Sequence, residues 1–357
     1  MKFIFYLLSK VYSFLVYLRL LSYKLKIFSA AQFTTPIISI GNIEIGGTGK
    51  TPMTIYLSQL LTNKQISHVI VSRGYKKKLS GTIVVSDQNS ILVTSPKQCG
   101  DEPFLMANRL PNTPIVVGND KKNAIQIAIQ KFNPQTIILD DAFQSLYINK
   151  DNDIVLFNCL HSEETFKLLP AGFLREPIHS ILRAQLVVFT KYNLLTSNNL
   201  PNPAQAVLKL IKQNNIPYLF AEHKSRCAQY CLNTHTLNNI KNHIVNSNPT
   251  LAISGIADSL SFNLLCQKYF SNIVTTHNFS DHFSYHNFYV FLKSLYKTTV
   301  FSSIVTTHKD LVKIKELDNS LINWLIGRKI QLFIIEIDLS VDDSENKIPL
   351  LLKSLNL

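Results

Sequence analysis

The chain has 357 residues, of which 46% are hydrophobic and 17% charged, and its formal net charge is +13. This composition excludes a disordered chain, and the length allows one large or two ordinary domains. Five cysteines without a dense framework indicate reduced thiols rather than a disulfide scaffold. The positive charge fits an anionic membrane surface or a phosphorylated substrate. No nucleic-acid-binding motif occurs, so nucleic acid is not an expected partner, and nothing identifies a protein partner.

Residues 1–30 combine aromatic and aliphatic side chains with scattered lysines and arginines. The longest uncharged run in this segment, Val11–Leu18, is much shorter than the about 20 residues of a membrane-spanning helix. The segment therefore predicts an amphipathic helix at a membrane interface. A cleaved signal peptide and a helix packed on the protein's own core are the alternatives. The polar side chains that share one side of a helical wheel are Lys2, Ser9, Lys10, Ser13 and Lys24.

From Pro36 onwards, short apolar runs alternate with helical segments, which is typical of an α/β fold with a mostly parallel sheet wrapped by helices. We predict an N-terminal helix (1–30), a nucleotide-binding domain (31–220) and a smaller C-terminal α/β lobe (221–357), with a substrate cleft between the lobes. The predicted strands are Ile37–Ile40, His68–Ser72, Thr82–Val85, Pro114–Val117, Thr136–Leu139, Asp153–Phe157, Leu186–Thr190, Leu251–Ser254, Asn272–Thr276, Ser302–Thr306 and Gln331–Ile337. The predicted helices include Thr51–Thr62, Glu102–Leu110, Lys121–Phe132 and Tyr285–Tyr296.

The stretch SIGNIEIGGTGKTPMT, Ser39–Thr54, resembles a phosphate-binding loop between a strand and a helix. Lys50 would reach the β- and γ-phosphates of ATP, and the Thr51 hydroxyl would bind Mg²⁺. The loop pattern expects glycine at position 44, where this chain has Glu44, and we predict that this carboxylate points away from the phosphates. The predicted nucleotide-binding residues are Gly46, Gly47, Thr48, Gly49, Lys50 and Thr51.

A pair of acidic residues, Asp140 and Asp141, directly follows the predicted strand Thr136–Leu139. One of these carboxylates is expected to bind Mg²⁺ directly or through water, and the sequence does not say which. The alternative is a glycine-rich turn together with a capping aspartate. Cys227, Cys231 and His235 lack a fourth ligand at a standard spacing, so zinc is not predicted.

An ordered set of motifs resembles the tetraacyldisaccharide 4'-kinase family over nearly the whole chain. The resemblance implies an ATP-dependent kinase that phosphorylates the 4'-hydroxyl of a tetraacyl glucosamine disaccharide 1-phosphate in lipid A biosynthesis. It also implies a peripheral protein on the cytoplasmic face of the inner membrane. The motifs are GNIEIGGTGKTP (Gly41–Pro52), SRGY (Ser72–Tyr75), GDEP (Gly100–Pro103), LDDAFQ (Leu139–Gln144), LPAGFLREP (Leu169–Pro177), GIADSLSF (Gly255–Phe262), FSDHFSY (Phe279–Tyr285) and TTHKD (Thr306–Asp310).

The same resemblance implies catalytic roles for Asp101 as the base, His282 as its partner, Lys50, and Arg175 near the transferring phosphate. A sugar hydroxyl is a poor nucleophile, so a group that accepts or orients its proton would help. Other interpretations remain open: Asp101 as a helix N-cap, and Arg175 with Glu176 as a surface ion pair.

The chain departs from the family pattern at five positions, Glu44, Ala142, Ser145, Ser280 and His308. An alanine at position 142 is tolerated only where its φ is negative.

Two rival functions remain. The TKYN stretch, Thr190–Asn193, resembles a guanine-reading motif of GTPases, although Asn193 replaces the aspartate that would pair with guanine. A P-loop GTPase or regulatory NTPase at the membrane surface is therefore one alternative. A non-catalytic membrane-surface binding protein is the other.

Overall fold

The computed structural model describes residues 2–195, 199–240, 247–281, 283, 285, 287–314 and 319–353. Within these residues the strands form one continuous, mostly parallel sheet. The strands are β1 Ile37–Asn42, β2 His68–Ser72, β3 Ile83–Ser86, β4 Ile115–Val117, β5 Thr136–Asp140, β6 Asn152–Asn158, β7 Leu186–Thr190, β8 Tyr218–Cys231, β9 Thr236–Asn239, β10 Thr250–Ser254, β11 Ile273–Asn278, β12 Ser303–Thr307 and β13 Gln331–Asp342. Their order in the sheet is β11-β10-β12-β13-β8-β7-β6-β1-β5-β2-β4-β3, and β9 pairs with β8.

Helices connect the strands, so the predicted α/β class with an N-terminal helix is confirmed. The helices are α1 Lys2–Lys24, α2 Lys50–Asn63, α3 Pro96–Cys99, α4 Asp101–Arg109, α5 Lys121–Phe132, α6 Asn202–Gln213, α7 Ser259–Cys266, α8 Phe288–Thr298, α9 His308–Ile314, α10 Asn319–Gly327 and α11 Lys347–Lys353. Short 3₁₀ helices span Ile178–Arg183 and Tyr192–Leu194.

The central strands are buried on both faces because helices cover both sides of the sheet. Alternate side chains along each strand point to opposite faces. Ile38 and Ile40 of β1 belong to a hydrophobic cluster with Met53 of α2. Ile37 belongs to a cluster on the other face, together with Ile125 of α5.

Parallel pairing places the functional loops at one edge of the sheet. β1 pairs with β5 in parallel, and Ile40 lies opposite Asp140. Parallel strands end at the same edge, so the loop after β1 lies beside the acidic end of β5. The predicted proximity of the glycine-rich loop to Asp140 and Asp141 therefore follows from the strand order.

The long strand β8 was not among the predicted strands. It pairs in parallel with β7 and antiparallel with β13, so one sheet runs through the region predicted to join two lobes. Its burial alternates along part of its length, and the charged residues Glu222, Lys224 and Arg226 concealed the strand pattern. The predicted boundary between residues 220 and 221 falls inside β8, and the division into domains stays a prediction.

Helix α1 lies on the outside of the molecule. Its segment Phe3–Lys24 has a mean hydropathy of 1.5 and is long and apolar enough to cross a membrane, by length and composition alone. The short uncharged run Val11–Leu18 therefore does not by itself exclude a spanning helix, and the interfacial helix stays a prediction. A signal sequence or a core helix can pass the same test, so this finding is only weakly consistent with membrane association.

One side of α1 docks on the protein through specific hydrogen bonds. Ser9 Oγ donates to the Leu168 carbonyl at 3.0 Å, and Tyr12 Oη donates to the Arg175 carbonyl at 2.8 Å. Part of the predicted polar side of the helix therefore faces the protein rather than lipid headgroups. Apolar side chains cover the opposite side and are exposed: Ile4, Leu7, Val11, Phe14, Leu15 and Leu18.

Candidate active site

The glycine-rich loop runs from the end of β1 to the start of α2. Gly46 and Gly49 have positive φ angles of 109° and 92°, which favour glycine. Gly49 is the N-cap of α2 and has no side chain to satisfy the first N–H groups of the helix. These N–H groups and the helix dipole suit a phosphate oxygen. Asn42 Nδ2 donates to Thr48 Oγ1 at 2.9 Å and stabilises the loop from inside.

His223 of β8 lies directly behind the loop. A Cβ atom added to Gly49 would lie 3.0 Å from His223 Nε2. Burial, together with the positive charge of nearby Lys191, lowers the pKa of His223 to about 3, so the imidazole is neutral at physiological pH. The tertiary structure thus adds a steric reason for glycine at position 49.

Asp140 is buried where β5 ends. Its carboxylate accepts hydrogen bonds from Thr54 Oγ1 at 3.3 Å and from Ser72 Oγ at 3.0 Å. Burial raises the pKa of Asp140 to about 6, and the negative charges of Glu102 and Asp141 contribute to the rise. A cation at this position would favour the charged carboxylate, and carboxylate and hydroxyl oxygens are ligands that suit Mg²⁺.

Asp141 lies between two cations. Its Oδ1 atom is 3.6 Å from Lys50 Nζ and 3.4 Å from an Arg175 guanidinium nitrogen. Although burial acts to raise the pKa of Asp141, Lys50 and Arg175 outweigh it and hold the pKa below its usual value. Three predicted site residues therefore meet at one point.

A cavity of about 520 Å³ opens between α1 and the glycine-rich loop. Four cationic side chains line it: Arg19, Arg73, Lys121 and Arg175. Lys121 Nζ donates to the carbonyl groups of Asp140 and Asp141, at 3.0 and 2.6 Å. Burial lowers the pKa of Lys121 to about 8. The cavity is thus suited to an anionic group next to the phosphate site.

Asp101 is the first residue of α4, and Gly100, with φ 99°, is the N-cap. The alternative interpretation of Asp101 as the N-cap is therefore wrong. Asp101 Oδ2 lies 3.0 Å from Lys313 Nζ. Lys309 Nζ, one helical turn earlier on α9, lies 3.2 Å from both Glu102 and Asp281.

The contacts of Lys309 and Lys313 were not predicted, although Lys309 belongs to the TTHKD motif. The pKa of Lys309 lies above its usual value although burial opposes this, because Glu102 and Asp281 stabilise its charge. Residues from distant parts of the chain thus hold the acidic start of α4. His282, predicted as the partner of Asp101, lies outside the described residues.

Arg175 and Glu176 do not form the surface ion pair considered above. Arg175 contacts Asp141, whereas the buried Glu176 accepts from Arg183 at 2.8 Å. Ala142 is buried and is not among the residues with positive φ, so its methyl group is accommodated. Glu44 is buried and contacts His161, which agrees with the prediction that it points away from the phosphates.

The region resembling a guanine-reading motif is engaged in internal contacts. Asn193 accepts from the His223 N–H at 3.0 Å and donates to the His223 carbonyl at 3.1 Å. Lys191 Nζ contacts the Gly47 carbonyl and Asp258. The side chain that would read guanine is therefore bound to β8, which disfavours guanine recognition.

Together, the parallel sheet, the glycine-rich loop at a helix N-terminus and the acidic strand end define a P-loop nucleotide-binding α/β protein. The family model described as tetraacyldisaccharide-1-P 4'-kinase (LpxK) matches residues 1–355. The chain belongs to this family.

Individual relatives agree with this assignment. The chain is 30% identical to the tetraacyldisaccharide 4'-kinase of Halothermothrix orenii, over 95% of this chain and 89% of that protein. It is 31% identical to the Aquifex aeolicus protein of the same name, over 81% and 82% of the two chains. A crystal structure of Aquifex aeolicus LpxK in complex with ATP superposes with a TM-score of 0.71 at 26% identity, covering 98% of this chain and 97% of that one.

We predict that Gly49→Ala weakens ATP binding by at least about tenfold, because φ is positive and the new methyl group would meet His223. The measurement is the ATP dissociation constant by calorimetry. Gly327→Ala is the matched control, since nothing lies within 4 Å of a Cβ there. Equal affinities for the two variants would contradict the steric role of His223.

Proposed function

We propose that the chain transfers the γ-phosphate of ATP to the 4'-hydroxyl of a tetraacyl glucosamine disaccharide 1-phosphate, which yields the lipid IVA precursor of lipid A. The observation that carries the proposal is the meeting of Lys50, Asp141 and Arg175 beside a cationic cavity, at the carboxyl edge of the sheet. The end-to-end family match supports the choice of substrate.

The nucleotide would bind with its phosphates on the loop Gly46–Thr51. The free N–H groups at the start of α2 and the Lys50 ammonium would neutralise the β- and γ-phosphates. Thr51, Asp140 and Asp141 supply the oxygen atoms that would hold Mg²⁺. The metal, when bound, would neutralise charge on the phosphate oxygens.

The acceptor headgroup would occupy the cavity under α1. Arg19 donates to the Gln144 carbonyl at 2.7 Å, which holds its guanidinium at the cavity wall. Arg73 and Lys121 add further positive charge to the cavity lining. Such a site favours a phosphorylated sugar over a neutral one.

Asp101 would accept the proton of the 4'-hydroxyl, with His282 as its partner. The contact with Lys313 at 3.0 Å would hold the Asp101 carboxylate in place, and a carboxylate can take up this proton. Arg175 would stabilise negative charge on the transferring phosphoryl group, because its planar cation can donate to two oxygens.

The apolar side of α1 would lie in the membrane, on the face where ATP is available. This orientation would bring the cavity next to the membrane surface, since Tyr12 and Arg19 of the same helix line it. We therefore place the protein at the cytoplasmic face of the inner membrane, where it would meet an acylated substrate.

The decisive experiment is incubation of the protein with ATP, Mg²⁺ and the disaccharide 1-phosphate lipid, followed by mass spectrometry of the lipid. We expect the lipid to gain one phosphate, and ATP to be preferred over GTP because Asn193 is bound to β8. Strong GTP selectivity would favour the GTPase alternative. Nucleotide binding without transfer to the lipid would favour a binding protein.

Replacement of the proposed base should separate chemistry from binding. Asp101→Asn should lower kcat by at least about 10²-fold while the ATP dissociation constant changes little, because the residue would act on the acceptor proton. Steady-state rates and calorimetry measure the two effects. The exposed Asp342→Asn is the control, and a near-normal rate for Asp101→Asn would refute its role as the base.

The outer side of α1 should determine membrane attachment. The triple variant Leu7→Gln, Phe14→Gln and Leu18→Gln should lower binding to anionic vesicles by at least about tenfold, because each buried apolar side chain contributes roughly 1.5–3 kcal/mol. Vesicle co-sedimentation measures the change. The control is Val290→Gln with Val300→Gln, both exposed elsewhere. Unchanged attachment of the triple variant would contradict the interfacial helix.

A further inference from the structure

Glu44 occupies the position where the loop pattern expects glycine, and its carboxylate is fully buried. Oε1 accepts from the Asn158 N–H at 3.2 Å, and Oε2 contacts His161 Nε2. A buried carboxylate requires a compensating partner, because its desolvation is costly. The imidazole of His161 is the side chain in contact with Oε2 of this carboxylate.

The second ring nitrogen of His161 is also engaged. Its Nδ1 atom lies 3.1 Å from Thr165 Oγ1, whose own proton is donated to the Ser162 carbonyl at 2.9 Å. Nδ1 forms a hydrogen bond with the Thr165 hydroxyl, while Nε2 faces the carboxylate. Both ring nitrogens of His161 therefore have a partner, Thr165 on one side and Glu44 on the other, and these contacts fix the orientation of the ring.

The Glu44–His161 pair lies where the phosphate loop meets the segment that carries Arg175. Ile45 N–H donates to the Phe173 carbonyl at 2.7 Å, and Arg175 N–H donates to the Ile43 carbonyl at 2.7 Å. Phe173 N–H in turn donates to the Thr165 carbonyl at 2.8 Å, and its ring packs edge-on against His161, with centroids 6.3 Å apart. His161 thus contacts both sides of the junction.

Successive side chains at this junction point alternately into the protein and into the cavity. Glu44 lies directly opposite Leu174 in an antiparallel bridge, and both are buried. Ile45 and Arg175, one position further along, line the cavity instead. The Glu44–His161 pair is therefore on the rear of the junction, behind the guanidinium that contacts Asp141.

We propose that Glu44 and His161 are positioning residues that fix residues 165–175 on the phosphate loop and thereby hold the Arg175 guanidinium beside Asp141. In this chain a carboxylate at position 44 and the imidazole at position 161 thus connect the loop to the arginine segment. The inference rests on the proposed function only in that Arg175 acts on the transferring phosphate.

The kinetic test uses Glu44→Gln, His161→Leu and the double variant, with ATP, Mg²⁺ and the disaccharide 1-phosphate lipid. Each single change should lower kcat by at least about tenfold with KM for ATP within about threefold, since Arg175 is displaced while the phosphate loop persists. The double variant should lose no more kcat than the worse single variant, because the two residues act as one unit. The exposed Glu164→Gln on the same loop is the charge-matched control.

A background substitution separates positioning from a general structural role. With Arg175→Ala, adding His161→Leu should change kcat by less than about twofold, because the group to be positioned is absent. An equal loss of kcat in both backgrounds, or a fall in thermal midpoint with no change in kcat, would overturn the proposal.

Hydrogen exchange provides a readout that does not depend on catalysis. His161→Leu should speed exchange of the Ile45 and Arg175 amide protons at least about tenfold, with unchanged rates in α5. Unchanged exchange at Ile45 and Arg175 would refute the positioning role whatever the activity. A wild-type protein that phosphorylates no lipid would instead refute the proposed function, and the exchange result would still decide on the pair.

Discussion

The parallel pairing of β1 with β5 is the constraint on which the candidate site depends. It places Ile40 opposite Asp140, so that the glycine-rich loop and the acidic strand end leave the sheet at the same edge. β2 pairs with β5 on the other side, and its last residue, Ser72, donates to Asp140. The helices that follow these strands therefore start at the same edge of the sheet. Their N-terminal N–H groups and the carboxylates at the strand ends are brought close together by short loops.

Electrostatic compensation explains much of the remaining arrangement. Asp141 pairs with Lys50 and Arg175, Glu102 and Asp281 share Lys309, and Glu44 pairs with His161. Glu44 is fully buried, so its contact with His161 offsets a large desolvation cost, whereas Asp141, Glu102 and Asp281 remain partly exposed and their ion pairs contribute less. Several of these partners come from α9 and from the loop after β6, so the site is complete only when distant segments are assembled around the sheet.

The fold class and the phosphate loop could be predicted from local patterns. Apolar runs between helical segments identified the central strands, because both-sided burial leaves continuous hydrophobic stretches. The half-exposed β8 was missed for the opposite reason, since its charged residues break that pattern. Two interpretations based on local spacing were wrong: Asp101 as an N-cap, and an ion pair between Arg175 and Glu176. Spacing along the chain does not determine which residue a side chain contacts in the folded protein. Gly100 is the N-cap of α4, and Arg183 donates a hydrogen bond to Glu176.

The sequence by itself determined the loop, its lysine, the acidic strand end and the apolar helix at the start, since each is encoded by residues close together in the chain. Only the tertiary structure decided which side of α1 faces the protein, where Ser9 meets a carbonyl 159 positions away. It likewise decided that Glu44 turns toward His161 and that Lys309 joins Glu102 to Asp281. These contacts depend on how packed elements bring distant side chains together, and no local periodicity records that arrangement.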